Sequence, residues 1–168
     1  MFAPKIARDT APLRGEDGAE ARVYSGSSGS VRARTHNYVP VTLIDLHLQP
    51  RAQFDQELPD SYNGLLYVLD GGVAVGSQRT RLLAGQVGWL ADPPSRTSTQ
   101  SSVRIIAGAE GARVILYAGE RQGVPIVMHG PFVAENRADL MRLSRLYLDG
   151  KMPRVSELDL AHAGTTNG

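Results

Sequence analysis

Cysteine is absent from this 168-residue chain, and its absence removes several classes of chemistry. Without thiols the protein has no disulfide, no thiolate-bound zinc, no iron–sulfur cluster and no cysteine nucleophile. Chains without cysteine are typical of a reducing compartment, so we expect a cytoplasmic protein.

Long hydrophobic runs and an excess of one charge are also missing. No apolar run approaches the roughly 20 residues that a membrane-spanning helix needs. Met1–Thr10 lacks the apolar centre of a secretory signal. The formal net charge is only +1, far from the basic surplus typical of nucleic-acid-binding domains. We therefore expect neither a membrane nor a nucleic acid as a direct partner.

Turn-forming residues are plentiful, with 18 glycines and 10 prolines, and they separate short apolar stretches. Thr42, Ile44, Leu46 and Leu48 alternate with other residues, which predicts a strand with one buried face. Two glycine-rich stretches, Gly71-Gly72 and 108–111, are expected to be turns. Many short strands at regular spacing predict an all-β sandwich or barrel. The predicted strands cover 41–48, 54–58, 65–69, 73–75, 81–83, 87–90, 103–106 and 113–117.

One helix is expected near the end of the chain, over residues 137–149, lying against the barrel. Asn136 is a favourable N-cap and Gly150 follows the last turn. Residues 1–22 are interpreted as an arm, 23–150 as the single domain, and 151–168 as a flexible tail. The serine- and glycine-rich stretch 25–30 is expected to be a flexible loop.

Several stretches, in unbroken order over roughly residues 16–150, are similar to the C-terminal domain of the pirin family. They include Gly130-Pro131-Phe132-Val133-Ala134-Glu135-Asn136, Leu116-Tyr117-Ala118-Gly119-Glu120 and Gly123-Val124-Pro125-Ile126-Val127. Pirins are bicupins, with two jelly-roll barrels in one chain. The resemblance implies a single cupin-type jelly-roll β-barrel (a double-stranded β-helix) with one C-terminal α-helix. A lone half of a bicupin is also expected to form a homodimer or to pair with a partner cupin protein.

The resemblance also bears on metal binding. The iron site of pirins, three histidines and a glutamate, lies in the N-terminal barrel, which no segment of this chain matches. Residues 63–72 resemble the end of the first cupin motif, but the preceding stretch 57–64 has no histidine. The region of the second motif, 92–98, has none either. We expect no metal and no cofactor, although an improvised site of His36, His47 and Glu57 stays open.

The remaining histidines have simpler explanations. His129 precedes a Gly-Pro turn, where a structural hydrogen bond is expected, and His162 lies in the polar tail. The stretch Gly26-Ser27-Ser28-Gly29 lacks the spacing of a hydrolase nucleophile elbow.

The leading hypothesis is a metal-free, non-catalytic binding or scaffold module. A small-molecule ligand inside the barrel is also possible on the sequence, with Asp45, His47, Tyr67 and Trp89 as candidate lining residues. Tyr67 and Trp89 are more simply explained as core residues. Two alternatives stay open: a quercetinase-like, metal-dependent cupin dioxygenase with atypical or shared ligands, and an indirect transcriptional co-regulator that acts through protein contacts.

Overall fold

A computed structural model describes residues 8–35, 37, 39–90 and 100–152. The described residues form mostly strands and one helix, in two compact units that divide after Arg121. The strands of the first unit are β1 Leu13–Glu16, β2 Ala19–Ser25, β3 Ser27–Ser28, β4 Val31–Arg32, β5 Val41–Leu48, β6 Gln53–Pro59, β7 Tyr62–Val75, β8 Thr80–Leu83, β9 Val87–Trp89 and β10 Gln100–Glu120. The second unit contains β11 Val127–His129, β12 Phe132–Ala134 and α1 Arg137–Leu148.

The strand β10 organises the sheet of the first unit. It pairs with β7 on one side; on the other side its first half pairs with β6 and its second half with β5. β2 and β1 extend the sheet beyond β5, while β8 and β9 pair with β7. All of these pairings are antiparallel, and together they form one eight-stranded sheet.

The hydrophobic core lies on one face of this sheet. On β5 the buried residues Ile44, Leu46 and Leu48 alternate with side chains on the opposite face, because successive side chains of a strand point in opposite directions. Leu66 and Val68 of β7 are fully buried in the same core. The alternation predicted for residues 42–48 is therefore confirmed.

Two predicted turns are instead bends within continuous strands. β7 runs through Gly71 and β10 runs through Gly111. The register of the pairing between these two strands shifts between Ala107 and Ala112 of β10. Both glycines have positive φ, 68° and 79°. A Cβ on Gly71 would lie 2.2 Å from the carbonyl oxygen of Gly111, so the two backbones can meet only because Gly71 has no side chain. Glycine marks a close approach of strands here, and not a chain reversal.

The predicted arm is wrong for residues 13–22. These residues form β1 and most of β2, and Ala19 and Ala21 belong to the core. β2 does alternate buried Ala19, Ala21 and Val23 with polar or larger neighbours, but two of these three residues are alanines, so the apolar signal is weak.

The stretch 25–30, expected to be a flexible loop, contains part of the short β3–β4 hairpin. Ser28 is fully buried, and its hydroxyl donates a 2.6 Å hydrogen bond to the side chain of Gln56. The Gln56 amide in turn donates to the backbone oxygen of Ser27. These hydrogen bonds attach the hairpin to β6, which the local sequence alone does not show.

The second unit is a hairpin with a helix packed on it. β11 and β12 pair with each other. Asn136 is the N-cap predicted from the sequence: its side chain accepts a hydrogen bond from the backbone N–H of Asp139. Phe132 and Tyr147 pack edge to face, with ring centroids 5.8 Å apart. Packing of the helix on the barrel stays a prediction. The predicted tail lies outside the described residues from residue 153 onward.

Candidate functional site

The four predicted pocket residues do not face the barrel interior. Asp45 and His47 alternate with the core residues of β5, and Tyr67 lies between the buried Leu66 and Val68, so all three point to the opposite face of the sheet. Trp89 is 78% exposed. The interpretation of Tyr67 and Trp89 as core residues, and of all four as barrel-interior lining, is therefore wrong.

The reason is that β5, β7 and β10 carry apolar residues on both faces. Alternation identifies the two faces of a strand, but it does not say which one points inward when both are apolar. The outward-facing aromatic and aliphatic side chains form a surface that the sequence did not reveal as such. We call it the apolar outer face; it consists of Leu43, Leu65, Tyr67, Val87, Trp89, Ile115 and Tyr117.

The strand register places these seven residues in two adjacent rows. One row crosses the sheet from Trp89 through Leu65 and Tyr117 to Leu43, and the other from Val87 through Tyr67 to Ile115. Directly paired side chains of neighbouring strands lie within contact distance of one another. The surface is thus contiguous. Its three aromatic side chains are all exposed, Trp89 most of all, Tyr117 at 47% and Tyr67 at 37%, and Val87 is exposed at 46%.

A charged cluster borders the apolar outer face at β5. Arg113 donates two hydrogen bonds to the Asp45 carboxylate, from Nε at 3.0 Å and from Nη2 at 2.8 Å. His47 Nε2 lies 3.4 Å from Asp45 Oδ1 and 3.5 Å from a guanidinium nitrogen of Arg8. Burial raises the pKa of the Asp45 carboxyl, but the hydrogen bonds and positive charge of Arg113 outweigh it and hold the pKa below its usual value. The carboxylate therefore stays ionised and orders this end of the face.

Glu57, Leu58 and Gly64 of the stretch that resembles a cupin metal motif offer no ligand to a metal inside the barrel. Glu57 is exposed, Leu58 is buried in the core, and a Cβ on Gly64 would lie 2.8 Å from Ala118 Cβ and from the Tyr117 oxygen. No side chain fits at Gly64 without displacing β10. Among the described residues, no three histidine, aspartate or glutamate side chains come together as metal ligands would.

The improvised site has no support in the described part of the chain. His47 lies on the outward face beside Asp45, and Glu57 is exposed on β6. His36 falls outside the described residues, as does the stretch 92–98 that would hold the second motif.

Asp60 is a residue that the sequence did not single out. It lies in the turn between β6 and β7, and both carboxylate oxygens are buried without a hydrogen-bond partner among the described residues. A buried carboxylate is costly unless a donor or cation pairs with it. No pattern in the sequence predicts the burial of the Asp60 carboxylate, because that burial comes from tertiary packing.

The first unit also has a small groove of about 280 Å³ beside β8. None of Asp45, His47, Tyr67 and Trp89 contributes to it. Its lining includes Gly72, Val73, Ala74, Arg81, Leu82, Leu83, Ile106 and Ala107.

Comparison with known proteins decides the family. The model of the pirin C-terminal cupin domain matches residues 43–153. The chain belongs to the pirin family. A pirin-like protein of Caulobacter vibrioides is 30% identical over 148 residues, which cover 84% of this chain and 50% of that protein. Pirin-like protein 2 of Arabidopsis thaliana is 29% identical over 151 residues, covering 88% and 46%.

Structural comparison confirms the fold. A quercetin 2,3-dioxygenase from Acinetobacter baumannii superposes with a TM-score of 0.71 at 23% identity, covering 87% of this chain and 49% of that one. The predicted cupin jelly roll with one helix is confirmed. The chain spans about half the length of the curated pirin relatives it matches, and the matched model is that of the C-terminal domain.

No helix among the described residues of this pirin-family chain is long and apolar enough to cross a membrane.

Proposed function

We propose that this chain is a metal-free, non-catalytic binding module of the pirin family that pairs with another cupin barrel through the apolar outer face. The observation that carries the proposal is the exposed double row of side chains centred on Trp89, Tyr67 and Tyr117. Contiguous apolar surfaces that stay exposed in a monomer are typical of interaction sites. Tryptophan and tyrosine are also the side chains that most often dominate binding energy.

The length of the chain supports a barrel as the partner. The match covers only about half of the pirin relatives' length, and the bicupin resemblance implies that a second barrel packs against a barrel of this kind. A second copy of this chain, or a separately encoded cupin, would supply it. The seven side chains of the apolar outer face carry no charge, so two copies can meet there without like-charge repulsion.

The cytoplasm is the compartment we propose for this module, because a chain without cysteine is typical of reducing conditions.

Pairing can be followed with the single tryptophan of the chain, which lies on the proposed interface. We expect a dimer by light scattering at about 100 µM, a concentration well above a micromolar dissociation constant. On dilution we expect the Trp89 emission to shift to longer wavelength as the indole returns to water. Mixing with the N-terminal half of a pirin relative tests the heterologous partner in the same way.

Tyr117→Ser is the variant that should weaken pairing while leaving the fluorophore in place. Leu83→Ser is the matched control, because Leu83 is similarly exposed, at 52%, but lies outside the apolar outer face. If the protein stays monomeric at every concentration, alone and with the second barrel, and the emission never changes, the pairing proposal is wrong.

A metal-dependent dioxygenase is the second candidate, and Asp60 is the observation that favours it. An unpaired buried carboxylate is a possible cation ligand, and the related fold from Acinetobacter baumannii is named a quercetin 2,3-dioxygenase. Elemental analysis after expression with iron, nickel, copper and manganese separates the two candidates. About one equivalent of a transition metal, lost in Asp60→Asn, supports the enzyme; a metal-free protein that still pairs supports the binding module.

A further inference from the structure

The second unit contains a groove that the proposed function does not use. It has a volume of about 870 Å³ and is lined by residues of β11, of α1 and of the helix C-cap. Binding sites for small molecules usually have volumes of about 300–1,000 Å³. The groove is therefore large enough for one small organic molecule.

One face of α1 and one strand supply the apolar floor of the groove. Met141 and Leu148 of the helix are 62% and 82% exposed, and Met128 of β11 is 70% exposed. Side chains three, four, seven or eight positions apart lie on one face of a helix. The residues of α1 that line the groove follow this spacing: Arg137, Leu140, Met141, Ser144, Arg145 and Leu148.

The shape and the chemistry of this floor favour a flexible chain over a compact ring. The lining on the helix side runs from Arg137 to Asp149, a distance of about 18 Å at 1.5 Å per residue. Methionine side chains are unbranched and polarisable, so they adapt to ligands of variable shape. A long groove with a methionine-rich floor thus fits an unbranched hydrocarbon chain.

The charged side chains of the groove select the sign of the ligand. His129, Arg137 and Arg145 line it, and both arginines are exposed. Among the described lining residues, Asp149 is the acidic one, and it lies at the end of the groove opposite Arg137. An anion therefore fits best at the Arg137 end, and a guanidinium matches the two oxygens of a carboxylate.

We propose that the groove between β11 and α1 binds an unbranched aliphatic monocarboxylate. The carboxylate pairs with Arg137, and the chain runs over Met141 towards Leu148. These two ends of the helix face are about 16 Å apart at 1.5 Å per residue, and a chain of about 12 carbons extends about 14 Å at roughly 1.3 Å per bond. Burial of methylene groups supplies most of the affinity, and the charge sets the direction of the chain.

This site is independent of the proposed pairing, because it uses no residue of the apolar outer face. The full chain labelled with ¹³C-methyl methionine reports on it, since two of the four methionines, Met128 and Met141, line the groove. Octanoate, decanoate and dodecanoate should shift these two methyl signals in NMR titrations. The dissociation constant should fall about two- to fourfold with each added methylene, to about 1 mM or below for dodecanoate.

Substitutions on the helix test the position of the carboxylate. Arg137→Gln should weaken decanoate binding about three- to tenfold, because it removes the guanidinium that pairs with the carboxylate. Arg142→Gln is the matched control: it removes the same charge from the same helix, but from a side chain that pairs with Asp139 at 3.2 Å. The control should change the dissociation constant by no more than about twofold, since exposed charges at a distance are screened.

A second variant and a second ligand test the floor and the charge separately. Met141→Glu places a carboxylate on the floor at an exposed position, so the protein should fold and lose the binding of decanoate. Decylammonium has the same chain with the opposite charge, and it should bind at least about tenfold more weakly than decanoate, because like charges repel at Arg137.

Four results would each overturn the proposal. They are signals of Met128 and Met141 that stay in place up to the solubility of dodecanoate, equal binding by Arg137→Gln and Arg142→Gln, and decylammonium that binds as tightly as decanoate. The fourth is a shift of the Trp89 emission while both methionine signals stay unchanged. That result would place the carboxylate on the apolar outer face instead of in the groove.

Discussion

The β3–β4 hairpin and the apolar outer face differ in which side chains they bury: the hairpin buries a polar group, and the outer face exposes apolar ones. In the hairpin, the hydroxyl of Ser28 is fully buried and is bonded to Gln56 and to Arg14. On the apolar outer face, Trp89 and Tyr117 remain largely in contact with water. Polar groups can be buried where every donor finds an acceptor, whereas apolar groups stay exposed where no second layer covers them. The polar groups of the hairpin are thus covered by residues of this chain, whereas the apolar side chains of the outer face are exposed.

The largest effect on stability is expected from removing the hydrogen bonds that attach the β3–β4 hairpin to β6. Gln56→Leu removes the acceptor of Ser28 and the donor to the backbone oxygens of Ser27 and Glu57. Because buried groups left without partners cost free energy, unfolding should become easier by about 2–4 kcal/mol. Urea unfolding followed by circular dichroism measures this.

The control for that variant is Gln53→Leu, at an exposed position on the same strand. If Gln53→Leu lost as much stability as Gln56→Leu, any substitution on β6 would be destabilising. The loss in Gln56→Leu could then not be assigned to its hydrogen bonds.

A smaller effect is expected at the charged border of the outer face. The pKa of Asp45 is below its usual value in the folded protein, so its ionised form stabilises the fold above the unfolded pKa of about 3.9. That contribution is lost as the pH falls below about 4 and through the folded pKa. Relative to Asp45→Asn, the wild-type protein should lose on the order of 1 kcal/mol between pH 5 and pH 3.

Urea midpoints across this pH range provide the measurement. Arg113→Met should reduce the same pH dependence, because it removes both hydrogen bonds to the carboxylate. A pH dependence that is unchanged in Arg113→Met would assign the effect to other carboxylates.

The smallest effect is expected at the centre of the outer face. Trp89→Ser should change the free energy of unfolding of the dilute monomer by no more than about 0.5 kcal/mol, because exposed side chains contribute little to folding. Thermal unfolding below the concentration of pairing checks this. A loss of several kcal/mol would show that Trp89 is covered within the monomer, contrary to its exposure.

Sequence alone predicted the fold class, the core face of β5 and the N-cap of the helix. Each depends on local order: alternation of Ile44, Leu46 and Leu48 with Asp45 and His47, or one asparagine before an amphipathic stretch. The family resemblance added the jelly roll. The outer face was missed because Leu65 and Tyr67 flank the equally apolar Leu66, so that periodicity assigns no direction. The burial of Ser28 and of Asp60 depends on residues distant in sequence, and no local pattern carries it.

The central position of β10 has a consequence for synthesis of the chain. Among the described strands, β6 pairs with β10 alone, and its partner residues follow it by 41 to 53 positions along the chain. While the ribosome is still adding residues 60–99, β6 therefore lacks the strand with which its backbone pairs, and the backbone groups of that ladder remain bonded to water. Closure of the barrel must await emergence of residue 120 from the exit tunnel, which makes this a late and non-local folding step.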